Sequence, residues 1–284
     1  MKSKFYLLLI LPTFFLIFGV KLFPISIIVL LSFYETTARI SFDKPVGLEN
    51  FISLLVEDRF LNNLRVTLIF VAETVIITLA LSVALALALQ RGGKLSSLAR
   101  TLILLAWVIM GIAAAMMWRL AFDFFAGAIN GILYFMGFPK VNLLLSPISA
   151  LQAMIVTAVW RYTPFATILL WAGLKSIERE YYESAKVDGA SRLQQFRYIT
   201  LPLLKTTLLT VLLLLTIYSF YATEIPLALT GGGPFLSTET LSLRLYREAF
   251  EYFAWGRASA ISIFLFALNL VIGLGYIRIY RGRR

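Results

Sequence analysis

Six stretches of the chain, at about residues 5–33, 64–90, 98–120, 150–174, 203–223 and 257–280, are long, apolar and almost free of charge. A helix rises 1.5 Å per residue, so each reaches across a hydrocarbon core about 30 Å thick. Lipid offers no water to backbone N–H and C=O groups, which leaves helices or closed barrels as the only spanning structures. Runs of this length exceed a barrel strand and predict helices. With 60% of residues hydrophobic and 14% charged, lipid has to solvate most of the chain. The expected fold is an all-α membrane protein with six transmembrane helices, read as one transmembrane domain over residues 1–284.

The segments between the spans are polar and short. Lys2 and Lys4 precede the first span, which Lys21 interrupts; a cleaved signal peptide is set aside because the apolar run is too long and no small-residue cleavage site follows it. Residues 34–63 form an acidic loop. Arg91-Gly92-Gly93-Lys94 is a turn between antiparallel neighbours, and residues 122–149, rich in Phe, Gly and Asn, look interfacial. Thr230 to Pro234 breaks the chain after the fifth span, and residues 238–254 read as an amphipathic surface helix.

Basic residues set the orientation. With both termini inside, fifteen Lys and Arg fall on cytoplasmic parts, among them Lys94, Arg100, Lys175, Lys186, Arg192 and Arg197. Only Arg39, Lys44, Arg59, Lys140, Arg244 and Arg247 fall outside. This asymmetry predicts a cell-membrane protein with cytoplasmic termini and explains the net charge of +11 without nucleic acid. There is no Cys and no His, so thiol chemistry, Cys/His metal sites and His-dependent acid–base catalysis are excluded. Neither a P-loop nor a dinucleotide-binding glycine pattern occurs, so no ATP site, cofactor, metal or catalytic residue is expected.

One charged island, residues 178–202, separates the fourth and fifth spans. Glu183-Ser184-Ala185 is followed, after three residues, by Gly189, and after nine more by Ile199-Thr200-Leu201-Pro202. This predicts a helix, a turn at Asp188-Gly189, a second helix and a stop, with Pro202 in the first turn of the next helix. Ile177, Tyr181 and Ala185 share one face; Leu193 and Phe196 share another.

The spacing resembles the cytoplasmic EAA loop of the membrane subunits of ATP-binding-cassette (ABC) importers, with Ser184 in place of the usual alanine. Leu229-Thr230-Gly231-Gly232-Gly233-Pro234, with the segment 237–250 after it, and Gly47-Leu48-Glu49-Asn50-Phe51 are similar to outer loops of the carbohydrate-uptake permeases of that family. The resemblance implies that 178–202 is a coupling hairpin docking the ATPase through Glu183, Ser184, Ala185, Asp188, Gly189, Ala190, Leu193 and Phe196. It also implies the outer-loop motif Gly231, Gly232, Gly233 and Pro234. The implied partners are a second homologous permease subunit, two ABC ATPase subunits and an extracytoplasmic solute-binding protein. The implied function is import of a sugar or sugar-like solute.

Polar groups inside the spans are candidates for a solute path, since an intramembrane charge is costly unless it faces the bundle, pairs or lines water. Arg161, Tyr162, Tyr218 and Ser219 are the candidates for solute contact; Tyr218 and Ser219 differ by about 100° around the helix and can still border one cavity. Glu73 and Asn269 read as structural hydrogen-bonding groups, and Glu224 closes the fifth span. The alternatives are an ion-coupled secondary transporter, which would use membrane carboxylates or discontinuous helices, and a membrane-embedded enzyme, for which paired carboxylates are lacking.

Overall fold

The computed structural model describes residues 12–90 and 93–281. The start of the first span with Lys2 and Lys4, the Arg91-Gly92 half of the turn, and Gly282 to Arg284 lie outside the described residues. In chain order the helices are α1 Pro12–Leu31, α2 Glu49–Leu55, α3 Asp58–Gln90, α4 Lys94–Val108, α5 Gly111–Ala121 and α6 Ala128–Phe135. They continue as α7 Pro147–Lys175, α8 Arg179–Val187, α9 Arg192–Phe220, α10 Glu224–Leu229, α11 Leu241–Phe250 and α12 Trp255–Arg281. Among the described residues there are no β-strands, only isolated bridges at Tyr34–Pro45 and Thr37–Ala254. Among the described residues five helices are long and apolar enough to cross a membrane, and α4 with α5, bent by 100° at their junction, pass the same test together, which makes six if the pair is one span.

The chain divides into two compact units, one running to Leu61 and including Arg244–Leu268, the other comprising Asn62–Leu243 and the residues from Asn269 on. In the first unit, α1 contains a π-helical turn, Ile17–Leu22. Asn50, from the Gly47–Phe51 motif, donates through Nδ2 to the carbonyls of Ser32 (2.9 Å) and Tyr34 (3.0 Å), fixing the chain that leaves α1. Phe264 packs against Phe51 and Phe60, with ring centroids 5.8 and 5.2 Å away.

The expected surface helix at 238–254 is a correction. It is shorter, and its polar face turns inward: Arg244 and Glu248, one turn apart, are buried. Charges tolerate burial only when paired. Arg244 contacts Glu248 at 2.6 Å and Glu57 at 3.0 Å, and Arg257 closes the knot on Glu57. Burial pushes the Glu57 carboxyl up, but Arg244 and Arg257 together outweigh it and hold the group below the usual glutamate range.

In the second unit α7 is the core helix. Its small residues Ala150, Ala153, Ala158 and Ala166 let neighbours approach, and Met154, Ile155, Leu170 and Leu174 fill the gaps. Glu73 accepts a hydrogen bond from Gln152 Nε2 at 2.9 Å, tying α3 to α7. The segment after α10 is fastened to the start of α3. Asn62 donates to the Leu236 carbonyl at 3.1 Å, and Asn63 donates to the carbonyl and carboxylate of Glu239 at 2.8 and 2.9 Å.

Two further expectations are corrected. The third span is not one rod: α4 and α5 meet at 100° across Ile109-Met110, whose backbones are extended. The second hairpin helix does not stop before Pro202: α9 continues from Arg192 through a π-helical turn into Leu201–Phe220, whose first turn holds Pro202 as expected. Pro202 has no N–H for the carbonyl four residues back. The chain accommodates it with a π-helical turn, Phe196–Thr200, in which the Leu201 N–H reaches the Phe196 carbonyl. The helix also ends at Phe220, short of the expected Thr223, and α10 intervenes before the glycine turn.

Candidate functional site

Two places in the second unit gather the residues that the sequence marks out. The first is a cavity of about 250 Å³ bounded by the end of α4, the middle of α7, the end of α9 and the start of α10. Arg161, Tyr162 and Tyr218 line it together, with Trp107, Phe165, Tyr221 and Glu224. The rings form a chain: Trp107 stacks on Phe165 (5.6 Å), Phe165 meets Tyr218 (5.6 Å), and Tyr218 meets Tyr162 (6.3 Å). Tyr162 is buried, its hydroxyl 3.4 Å from the Tyr218 carbonyl, whereas Tyr218 and Tyr221 are more than two-fifths exposed. The 100° offset between Tyr218 and Ser219 carries Ser219 out of this lining; it is buried, and its hydroxyl finds no partner.

Arg161 meets the break in the third span. Where α4 stops, the Ile109 carbonyl loses its helical donor, and Arg161 Nη1 supplies one. The Arg161 Nε lies 4.0 Å from Glu224 Oε1, an electrostatic contact rather than a hydrogen bond. Glu224 in turn occupies the space beside Gly111, where a Cβ would stand 2.4 Å from Glu224 Cγ. A side chain at position 111 would displace the Glu224 arm from its place beside Arg161. Composition gave no hint of Trp107 or Gly111 as part of this arrangement, since both sit in an apolar run.

The second place is the charged island. Helix α8 has no buried residue, and the turn after it is made by Gly189 at φ +77°, with Gly189 N–H donating to the Lys186 carbonyl and Ala190 N–H to the Ala185 carbonyl. Ser191 then caps α9: its hydroxyl accepts from Gln194 N–H, and the Gln194 side chain accepts from Ser191 N–H. This capping box is written in the sequence as Ser191-x-x-Gln194. Tyr182 and Thr200 share a hydrogen bond of 3.0 Å that holds the two arms together. Glu183, Ser184, Asp188 and Gly189 are exposed; Ala185, Ala190 and Phe196 are half-buried. Around them Tyr181, Val187, Leu193 and Tyr198 expose apolar surface, Val187 by 88%. That is a bare amphipathic surface on a stiff frame.

The outer-loop motif Gly231, Gly232, Gly233 and Pro234 forms a closed turn that lines neither place. Thr230 and Thr238 share a 2.7 Å hydrogen bond across it, and Thr238 also donates to the Gly233 carbonyl at 2.7 Å.

Residues 76–284 match the family described as the binding-protein-dependent transport system inner membrane component. The trehalose/maltose transport system permease protein MalF of Thermococcus litoralis is 36% identical over 100% of this chain and 96% of its own length. The sulfoquinovosyl glycerol transport system permease protein SmoG of Agrobacterium fabrum is 29% identical over 96% of this chain and 89% of its own. Among solved structures, a bacterial ABC transporter involved in import of the acidic polysaccharide alginate shares the fold, with a TM-score of 0.83 and 24% identity over 99% of this chain and 96% of that one. Together with its apolar spans and cavity, these likenesses make the chain a multi-pass membrane protein that belongs to the binding-protein-dependent transport system inner membrane component family.

Proposed function

We propose that this permease subunit carries a carbohydrate along a path through the Arg161–Tyr218 cavity and is driven through the 178–202 hairpin, residues 1–284 acting as a single permease domain. Membership of the family makes the chain the membrane component of an ABC importer and not an enzyme. ATP is hydrolysed by partner ATPase subunits, solute is delivered by a binding protein, and a second permease subunit completes the path. This sets the ion-coupled alternative aside.

The observation that carries the reading is connectivity. The hairpin joins α7 directly to α9, and the cavity is lined by Arg161, Tyr162 and Phe165 of α7 facing Ile217 and Tyr218 of α9. Displacement at the hairpin therefore reaches the cavity walls along two continuous helices, the rigid-element movement by which importers alternate access. Exposed aromatic faces beside hydrogen-bonding groups suit a sugar, which presents apolar C–H faces and hydroxyls. In the hairpin, Glu183, Ser184 and Asp188 offer polar contacts to the ATPase and Ala185, Ala190, Leu193 and Phe196 apolar ones, with Gly189 permitting the turn. The excess of basic residues on the hairpin side supports a cytoplasmic hairpin and cytoplasmic termini, which leaves the Gly231–Pro234 turn facing outward.

The test is ATP-dependent sugar uptake by the reconstituted importer carrying Tyr218→Ala or Glu183→Ala. Tyr218→Ala is expected to lower uptake at least fivefold with ATPase association intact, and Glu183→Ala to weaken association. Unchanged uptake with Tyr218→Ala would move the solute path elsewhere.

A further inference from the structure

A second cavity, of about 600 Å³, lies between α3, α4, α5 and α7 and shares no lining residue with the one around Arg161. Leu81 and Leu85 of α3, Leu102 and Ile103 of α4 and Val156 of α7 line it, and Trp118 and Trp160 meet edge-on at its wall, ring centroids 6.0 Å apart. The polar side chains it does contain are engaged elsewhere: Gln152 donates to Glu73 at 2.9 Å and Thr163 to the Val159 carbonyl at 2.6 Å. Such a lining gives a sugar hydroxyl no partner and suits hydrocarbon. The groove between α4 and α7 changes character next to it. On α4, Arg100 precedes Leu102 by two residues, about 3 Å of helix, and on α7, Trp171 follows Pro164 by seven, about 10 Å. Arg100 Cζ stands 4.6 Å and Lys175 Nζ 5.0 Å from the centroid of the Trp171 ring. The ring attracts both cations but neutralises neither, and among the described residues neither has a carboxylate partner. Because α7 ends at Lys175, where the span gives way to the charged island, these groups stand at the depth of lipid headgroups.

We propose that the groove between α4 and α7 holds an anionic phospholipid, with its headgroup phosphate drawn to Arg100 and Lys175 and an acyl chain in the apolar cavity. Basic pockets between spanning helices capture such headgroups, and two cations without a counter-charge supply the complementary field. A free phosphate carries the same charge as the headgroup; the adjoining cavity, which only hydrocarbon fills without loss, is what selects a lipid. The site is separate from the solute path and from the hairpin at 178–202.

The test titrates the assembled permease–ATPase complex in detergent with dioleoyl phosphatidylglycerol or dioleoyl phosphatidylcholine, and counts retained lipid by native mass spectrometry, with inorganic phosphate as competitor. The wild-type complex is expected to retain phosphatidylglycerol about tenfold more tightly than phosphatidylcholine, as two cations near a charged headgroup imply. Arg100→Gln combined with Lys175→Gln is expected to abolish that preference, with unchanged phosphatidylcholine retention as the check on folding. Arg100→Lys with Lys175→Arg, which keeps both charges, should preserve it. Leu81→Trp, which fills the cavity, is expected to lower retention of both lipids severalfold. A preference that survives the double glutamine variant would overturn the proposal, and displacement of the lipid by millimolar phosphate would replace the lipid with a free anion. Leu81→Trp that leaves lipid retention intact but dislodges the second permease subunit would give the cavity to a protein helix and overturn it as well. All of these results leave the carbohydrate reading in place.

Discussion

Replacing Gly189 separates the backbone of the hairpin from its side chains. The residue stands at φ +77°, and a Cβ built on it has no heavy atom within 4 Å. A larger side chain therefore meets no clash, and the whole penalty is conformational. For an L-residue the left-handed region costs about 1–2 kcal/mol, a β-branched residue being worst placed and asparagine best tolerated. At about 1.4 kcal/mol per tenfold, Gly189→Val reduces the population with the native turn by roughly 5- to 30-fold relative to alternatives. Gly189→Asn costs a fraction of that. The two hydrogen bonds that close the turn, Gly189 to Lys186 and Ala190 to Ala185, are lost with it, and α8 no longer presents Glu183 at a fixed angle to α9. Solute-stimulated ATP hydrolysis of the reconstituted importer, read beside retention of the ATPase on purification, is expected to rank wild type, Asn, Val. Thermal unfolding of the purified permease should move little, because α8 buries nothing. Equal coupling in the Asn and Val variants would refute the reasoning, since it would show that the turn conformation has no bearing on docking.

Other expectations follow from single contacts. Gly256→Ala sets a Cβ 2.1 Å from the Tyr34 carbonyl and 3.0 Å from Asn50 Nδ2, both held by hydrogen bonds; a destabilisation of about 3 kcal/mol or more is expected, measured as thermal unfolding of the permease in detergent. Glu57 has a depressed carboxyl pKa, so it stabilises the fold above the usual glutamate value near 4.3 and that contribution is lost as pH falls through the depressed value. Glu57→Gln is accordingly expected to cost about 2 kcal/mol at neutral pH and to flatten the acid limb of a stability–pH profile. Asn63→Ala leaves the buried Glu239 carboxylate without one of its donors, and a loss of about 1–3 kcal/mol is expected in the same assay.

The spans were legible because hydropathy summed over twenty residues is insensitive to detail. The break at Ile109-Met110 was hidden for the same reason: both halves are apolar, and the side chains that meet it, Arg161 and Glu224, are remote in sequence. Helix α11 misled in another way. Its amphipathic pattern was real, but a polar face can turn inward when ions meet it, and Glu57 and Arg257 lie on other segments. Pro202 keeps the place its chemistry suits, the first turn of Leu201–Phe220, while the π-helical turn before it joins that segment to the hairpin helix instead of ending it. In the hairpin, by contrast, helix, turn and cap are all local, and the sequence pattern carried through to the geometry. For the cavity, Arg161, Tyr162 and Tyr218 could be picked as polar or aromatic groups within spans, whereas Trp107 had no signal separating it from any membrane aromatic, and the rotation that withdraws Ser219 is fixed only by packing.

The most direct measurement is thiol labelling of single-cysteine variants, which the natural absence of cysteine makes free of background. Position 186, in α8 beside the Gly189 turn, and position 232, in the glycine turn after α10, are expected on opposite faces of the membrane. A hairpin that docks the ATPase predicts that Lys186→Cys is labelled by an impermeant reagent only from the cytoplasmic side and is shielded when the ATPase is bound, while Gly232→Cys is labelled only from outside. Labelling of position 186 from outside, or labelling from inside that bound ATPase leaves unchanged, would contradict the coupling role assigned to residues 178–202.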